Sequence, residues 1–210
     1  MNQFTKAEMK VFQSLRTPAQ VQTFLSAIPF NFELDKKDTV KSPLRTLREN
    51  NGHCIEGALL GAYILSLHGY TPYLLHLKTT TNDFDHVVVP FKHNGYWGAL
   101  SKTNHAVLRY REPVYKTIRE LVLSYFHEYF LPDGTKTLRA YSEVLCLHDF
   151  EDGWETEEDD LWGIDAELDA LVHHGIVPPS HLRMLRKADE IERKAGELVE
   201  WRPKKKKRSY

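Results

Sequence analysis

The chain contains 210 residues, of which 41% are hydrophobic and 27% are charged, and its formal net charge is −1. This length and composition are enough to bury a full hydrophobic core, and they predict a soluble globular protein. Two cysteines, Cys54 and Cys146, cannot build a disulfide framework, and no charged-then-apolar leader precedes the first predicted helix, so a cytoplasmic location is expected.

The N-terminal region predicts helices whose starts are well marked. Two capping boxes and one Ser-Pro start mark them, at Thr5 and Glu8, at Thr17 and Gln20, and at Ser42 and Pro43. At each start a side-chain oxygen can accept a hydrogen bond from a backbone N–H group of the first turn. We therefore expect two N-terminal helices and a short third helix that leads to Asn50.

The stretch NNGHCIEGALLGAYILSLHG, residues 50–69, changes from polar turn residues to an apolar segment at Cys54. Apolar residues on nearly all sides of this segment predict a central helix, too short to cross a membrane, with Cys54 in its first turn. Unpaired amide N–H groups and the helix dipole stabilise a thiolate there, and the same amides can hold an oxyanion. The alternative is a buried structural thiol.

A β-hairpin follows and supplies a candidate base for this thiol. The runs HVVVPF and YWGALS flank Asn94-Gly95, a combination typical of two strands joined by a tight turn. His86 opens the first strand, from which its side chain can point at a helix packed on the sheet. A neutral imidazole beside a thiol can accept its proton. The neighbouring His53 is a less favoured base, because adjacent side chains on a turn rarely converge.

The length of the hairpin turn decides which polar residue can orient the ring of His86. A two-residue turn places Ser101 on the face of the sheet that carries His86. A three-residue turn shifts the register by one and places Asn104 directly opposite His86. Both Ser101 and Asn104 therefore remain candidates for this role.

The order of these residues resembles the transglutaminase-like branch of the papain-like cysteine superfamily. The match covers residues 51–104, and a longer run through LRYREPVYKTIRELVLSYFHEYF is similar to bacterial proteins with a transglutaminase-like core. The resemblance implies an α+β fold with a papain-like or transglutaminase-like core, in which the central helix packs on an antiparallel sheet. It also implies that Cys54 is the nucleophile and His86 the base.

The chain departs from that family at the third catalytic residue. The usual aspartate falls near Ser101, and a serine, which carries no negative charge, orients an imidazole only weakly. Asn104 offers the amide that papain-like relatives use, so we favour Asn104 over Ser101. Because the carboxylate is missing, a catalytically weak or inactive binding or scaffold module is the alternative to an enzyme.

The rest of the chain predicts a helix, a returning strand and a helical C-terminal region. YKTIRELVLSYFHEYF carries an apolar stripe at helical spacing, and TLRAYSEVLCL alternates as a strand does. Residues 151–169 contain no basic residue, whereas the chain closes with RPKKKKRSY. We expect a transglutaminase-like cysteine domain over residues 1–150, an acidic helical appendage over 151–201 and a basic tail over 202–210.

Together these patterns predict thiol-dependent acyl transfer through a thioacyl intermediate, as in a peptidase, an amidase or a transglutaminase-like enzyme. The expected substrate is a peptide, a protein or another amide. No metal or cofactor is expected, because the other histidines, His173 among them, lack metal-ligand spacing. Nucleic acid is not an expected partner, since no aromatic or RNA-binding motif accompanies the basic tail. Asp83 and Asp85 are predicted to solvate a loop.

Overall fold

One antiparallel sheet and a set of helices make up the part of the chain that the computed structural model describes, residues 3–34 and 37–203. The helices are α1 (Lys6–Ser14), α2 (Pro18–Ala27), α3 (Pro43–Glu49), α4 (Cys54–Ser66), α5 (Ile118–Leu123), α6 (Trp162–Ala170) and α7 (Glu190–Gly196). The strands are β1 (Tyr73–Lys78), β2 (His86–His93), β3 (Tyr96–Ser101), β4 (Arg111–Tyr115), β5 (Ala140–Ser142), β6 (Leu145–Cys146) and β7 (His173–Gly175). The strand order is β4-β3-β2-β1-β5-β7, and β6 also pairs with β1. The predicted α+β class with an antiparallel sheet is confirmed.

The three N-terminal helices begin at the predicted residues. Thr5 Oγ1 accepts a hydrogen bond from the Glu8 N–H group at 3.2 Å, and the Glu8 carboxylate accepts one from the Thr5 N–H group at 2.6 Å. Thr17 and Gln20 form the same reciprocal pair at the start of α2. Ser42 caps α3. These local signals were sufficient because each cap joins residues only three positions apart.

Helix α4 is buried on nearly all sides, as its sequence predicts. Ten of its 13 residues are buried, and its apolar side chains share one core cluster with residues of α1, α2 and β2. Gly57 permits the closest approach: a Cβ atom there would lie 2.4 Å from Cβ of Lys102. The absence of a side chain at Gly57 therefore lets the chain after β3 cross directly over the first turns of α4.

The β2–β3 hairpin has the two-residue turn. Asn94 and Gly95 have φ values of 48° and 86°, as a tight turn matched to the twist of the strands requires. The register pairs His93 with Tyr96 and continues to the pair of Val88 and Ser101. The shifted register that would place Asn104 opposite His86 is therefore excluded.

The two faces of β2 belong to different core clusters. Val87 and Val89 pack with α4, whereas Val88 packs with residues of α5. His86 pairs with Leu77, which also belongs to the α5 cluster. His86 therefore lies on the Val88 face, at the first residue of β2, from which its ring reaches Cys54 at the start of α4.

The segment after β4 is less regular than its periodicity predicts. Helix α5 ends at Leu123, where Ser124 Oγ donates to the Leu121 carbonyl oxygen at 2.6 Å, and a 3₁₀ turn follows at Phe126–Glu128. Tyr125 nevertheless stays in the core. The predicted returning strand is divided into β5 and β6, and strand β4, which contains Pro113, was not predicted because proline is tolerated in sheets mainly at edges.

Contacts cross residue 150, where the charge pattern placed a domain boundary. Strand β7 extends the sheet by pairing with β5, and Ile164 and Leu168 of α6 lie in the same core cluster as α4. The boundary between independently folding units stays a prediction. Residues 204–210, most of the predicted basic tail, lie outside the described residues. Within the described residues, no helix has the length and apolarity needed to cross a membrane.

Candidate active site

Cys54 begins α4 as a half-buried free thiol between two imidazoles. Its Sγ atom lies 4.0 Å from Nδ1 of His53, and His86 is close enough to share in stabilising the thiolate. Burial raises the pKa of the Cys54 thiol, but hydrogen bonding and charge from His53 and His86 outweigh burial and hold the pKa well below its ordinary value. The contact with His86 arises because β2 and α4 begin at the same end of the sheet.

His53 is closer to the thiol than the sequence suggested. The residue has an extended backbone at the N-cap of α4, and its Nε2 atom lies 2.8 Å from the Thr39 carbonyl oxygen and 3.3 Å from a Glu33 carboxylate oxygen. These contacts hold the ring beside the adjacent side chain, so the expectation that the two would not converge was wrong. Burial lowers the pKa of His53, but contact with Cys54, the charge of Glu56 and the Thr39 bond raise it to about 9.

His86 is oriented by a chain of hydrogen bonds that begins at a backbone carbonyl. Ser101 Oγ lies 2.5 Å from the Leu108 carbonyl oxygen and 2.8 Å from Nε2 of His86. A serine hydroxyl has one proton, and a carbonyl oxygen can only accept, so Ser101 donates to Leu108. Ser101 must then accept from the Nε2–H group of His86. The neutral ring is thereby held with its lone pair on Nδ1, the nitrogen left to serve the thiol.

The Leu108 carbonyl group, which accepts the hydrogen bond from Ser101, is itself fixed in position. Leu108 has a positive φ of 60°, which is uncommon outside glycine, and its N–H group donates to a Glu128 carboxylate oxygen at 2.7 Å. Arg111 forms an ion pair with the same oxygen at 2.7 Å. Glu128 therefore holds the backbone conformation that turns the Leu108 carbonyl toward Ser101.

Asn104 forms hydrogen bonds with Trp201, whereas the sequence predicted that it would orient His86. Its amide donates to the Trp201 carbonyl oxygen at 3.1 Å and accepts from the Trp201 N–H group at 2.8 Å. Both ends of the amide are used to attach the C-terminal segment, so the preference for Asn104 over Ser101 was wrong about position. The two-residue turn was the signal that pointed to Ser101.

Asp83 and Asp85, the two acidic residues before His86, bind other side chains of the protein, whereas the sequence predicted that they only solvate a loop. Asp83 accepts a hydrogen bond from Thr137 Oγ1 at 2.5 Å, and Asp85 lies 3.2 Å from Nε2 of His76. Among the described residues, neither carboxylate forms a hydrogen bond or an ion pair with His86.

Glu56 is the residue that the sequence reasoning missed. It is fully buried in the first turn of α4, and its carboxylate accepts hydrogen bonds from Thr39 Oγ1 at 2.7 Å and from the His53 N–H group at 3.0 Å. The buried carboxylate therefore ties the loop at Thr39 to the turn that carries Cys54. A charged residue inside an otherwise apolar helix was the available signal, because such a residue is rarely buried without partners.

The role of Ser101 can be read from the tautomer of His86. In a Cys54→Ala background, at a pH where the ring is neutral, ¹⁵N NMR is expected to show the proton on Nε2. Ser101→Ala removes the acceptor and should give a mixture of both tautomers. Thr103→Ala is the matched control, since Thr103 bonds only the His105 N–H group among the described contacts. A proton mainly on Nδ1 in the Cys54→Ala protein would contradict the assignment.

Comparison with known proteins gives one partial similarity. No family profile matches the chain. The chain is 33% identical over 75 residues to tubulinyl-Tyr carboxypeptidase 1 of Mus musculus. That match covers 34% of this chain and 20% of the relative, so the chain spans a small part of that protein. The similarity connects part of the chain with a carboxypeptidase, and the transglutaminase-like relationship stays a prediction.

Proposed function

We propose that this protein is a thiol-dependent hydrolase that acts on peptides through Cys54, His86 and Ser101. The observation that carries the proposal is the position of the Cys54 thiol at the start of α4, beside His53 and near His86, whose ring Ser101 orients; both imidazoles lower the pKa of the thiol. A thiolate is the reactive form of cysteine, and a lowered pKa makes it available at neutral pH. The predicted papain-like or transglutaminase-like core belongs to the same proposal.

Acylation begins when the Cys54 thiol gives its proton to Nδ1 of His86 and the resulting thiolate attacks the carbonyl carbon of the substrate. A C–S bond forms, and the carbonyl electrons move onto oxygen. N–H groups of the first turn of α4 have no acceptor within the helix, so they can donate to this oxyanion. Collapse of the intermediate breaks the C–N bond, and the proton on Nδ1 of His86 passes to the leaving amine.

Deacylation uses the same groups in reverse. Neutral His86 takes a proton from a water molecule at Nδ1, and the resulting hydroxide attacks the thioacyl carbon. The C–S bond breaks, the carboxylic acid is released with Cys54 as the leaving thiolate, and the proton taken from water stays on Nδ1 of His86, which restores the thiolate–imidazolium pair. A primary amine in place of water would give the transfer reaction of a transglutaminase-like enzyme.

The substrate that we propose is a peptide with a free C-terminal carboxylate. A cavity beside the Ser101–Leu108 pair is lined by Leu108, Tyr129 and Arg193. The Nε–H group of Arg193 is buried and has no hydrogen-bond partner among the described residues. A carboxylate is the natural acceptor for a guanidinium group. The similarity to a tubulinyl-Tyr carboxypeptidase supports the same substrate class, with tyrosine as a candidate terminal residue.

The test uses one peptide in two forms, with a C-terminal tyrosine that is either free or amidated. We expect the wild-type protein to release tyrosine from the free form, and Cys54→Ser to be inactive. Arg193→Gln should lose most of the preference for the free form, because an arginine–carboxylate contact contributes about 1.5–3 kcal/mol, or about 10- to 100-fold. Adding a primary amine separates transfer from hydrolysis by the mass of the product. If no peptide bond is cleaved although Cys54 reacts with alkylating agents, the binding or scaffold module is favoured.

A further inference from the structure

Two histidines and an aspartate from β1, α6 and β7 come together in a second cluster of polar side chains. His76 of β1, Asp169 of α6 and His173 of β7 have ligand-type atoms that all lie within 4.8 Å of one another. Nδ1 of His76 lies 3.1 Å from Nε2 of His173 and 3.8 Å from Oδ1 of Asp169. These residues play no part in the proposed hydrolysis.

The partners of His76 fix which of its nitrogens carries a proton. Its Nε2 atom lies 3.2 Å from Oδ2 of Asp85. The other oxygen of Asp85 accepts from the N–H and O–H groups of Thr79 at 2.7 and 2.8 Å, as a carboxylate does. Nε2 of His76 therefore carries the proton that faces Asp85. In the neutral ring, the lone pair of His76 is on Nδ1 and points into the cluster.

The same reasoning applies to His173. Its Nδ1 atom lies 2.7 Å from the Leu171 carbonyl oxygen, which can only accept a hydrogen bond. Nδ1 therefore carries the proton, and the lone pair of the neutral ring is on Nε2. Two nitrogen lone pairs thus face each other at 3.1 Å, an arrangement that either a shared proton or a bound metal ion would stabilise.

We propose that His76, His173 and Asp169 form a binding site for a divalent transition-metal ion such as Zn²⁺. Tetrahedral Zn²⁺ with bonds of about 2.0–2.1 Å needs neighbouring ligand atoms roughly 3.3 Å apart, between the 3.1 and 3.8 Å that separate Nδ1 of His76 from the other two ligand atoms. Asp85 and the Leu171 carbonyl hold the outer ring nitrogens, as hydrogen-bond acceptors behind zinc-bound histidines do. Residue spacing does not indicate such a site, because the three ligands come from three separate elements.

Lys78 competes with a metal ion for the carboxylate. Its Nζ atom lies 2.9 Å from Oδ1 of Asp169, and 40% of its side chain is exposed. A flexible, exposed ammonium group can move into solvent when a more highly charged ion binds. The site should therefore bind metal more tightly when the charge of Lys78 is removed.

The test measures Zn²⁺ binding to the full chain by competition with a chromophoric chelator, in a Cys54→Ser background so that the active-site thiol cannot bind the ion. We expect one equivalent to bind. His173→Ala and His76→Ala should each weaken binding by about 100-fold or more, and Asp85→Asn by about 10- to 100-fold. Lys78→Met should tighten it. Co²⁺ in place of Zn²⁺ should give visible absorption without a thiolate charge-transfer band.

The matched control is His174→Ala. His174 is the next residue on β7, lies 3.7 Å from Glu143 and is half exposed, so its loss should leave binding unchanged. Because His76 is buried, the result for His76→Ala is interpreted only if its circular dichroism spectrum matches that of the parent protein. His173 and Lys78 are more exposed, so their variants are better suited to test binding in a folded protein. No Zn²⁺ binding in the Cys54→Ser protein, or binding that His173→Ala leaves unchanged, would show that the imidazole pair shares only a proton and would overturn the proposal.

Discussion

His86→Ala is expected to lower the rate of peptide hydrolysis by about 10²- to 10⁴-fold, the usual contribution of a positioned general acid–base group. His86 is suited to this role because Ser101 accepts its Nε2–H group and leaves Nδ1 facing the thiol. Deacylation depends on it most, since a water molecule must give up a proton at that step. The measurement is single-turnover and steady-state release of the C-terminal residue.

His53→Gln is the informative companion, because its imidazole also contacts Cys54. With a pKa of about 9 beside the thiolate, His53 is protonated at neutral pH in the free enzyme, so it supplies a positive charge and does not take the thiol proton. We therefore expect His53→Gln to raise the pKa of Cys54, by removing a positive charge, and to leave most of the hydrolysis rate at pH 8.5 intact. Alkylation of Cys54 across pH, in a Cys146→Ser background, measures this shift directly.

His53→Gln and His86→Ala should differ in how their reactivity and hydrolysis depend on pH. The wild-type thiol should keep its reactivity as pH falls below the ordinary thiol range and lose it only at the lowered pKa. The charge of His53 that supports the thiolate is present at neutral pH, above the ordinary histidine pKa of 6.5, and is lost as pH rises through about 9. If His53→Gln abolishes hydrolysis at every pH while His86→Ala retains it, the roles assigned to the two rings are reversed.

Local sequence signals predicted the helix, strand and turn that carry the site. The start of α4 at Cys54, the start of β2 at His86 and the Asn94-Gly95 turn each depend on residues close together in the chain. Once the turn has two residues, the alternation of a strand places Ser101 beside His86 without any further information. The sequence thus contained the residues that we propose as nucleophile and base and, as one of two alternatives, the residue that we propose orients the base.

The contacts that were missed join residues far apart in the chain or depend on ring orientation. Asn104 is used by Trp201, 97 positions away, and no local pattern indicates that pairing. The approach of His53 to Cys54 depends on Thr39, in a loop before α3. His76 and His173 meet only because β5 pairs with both β1 and β7. Each is a tertiary contact, which residue spacing does not encode.

Glu56→Ala is expected to destabilise the fold by about 3–5 kcal/mol, because it removes a buried charge from a set of buried donors. Besides Thr39 and His53, the carboxylate accepts from the Lys41 N–H group at 3.3 Å and from Asn31 Nδ2 at 3.2 Å. All of these donors would be left inside the protein without their acceptor. The measurement is the midpoint of urea unfolding at neutral pH, with the slope of the transition compared between variants.

Glu49→Gln is the matched control for Glu56, since both carboxylates lie near the ammonium group of Lys41. Glu49 Oε2 is 3.3 Å from Lys41 Nζ but its side chain is 45% exposed, so an effect below about 1 kcal/mol is expected. Glu56→Gln should lie between the two, because both oxygens of Glu56 face donors and an NH₂ group cannot replace either. The loss of the Glu56 charge should also lower the pKa of His53, which that charge helps to raise. Equal stability of Glu56→Ala and Glu49→Gln would mean that the buried carboxylate does not hold the turn carrying Cys54.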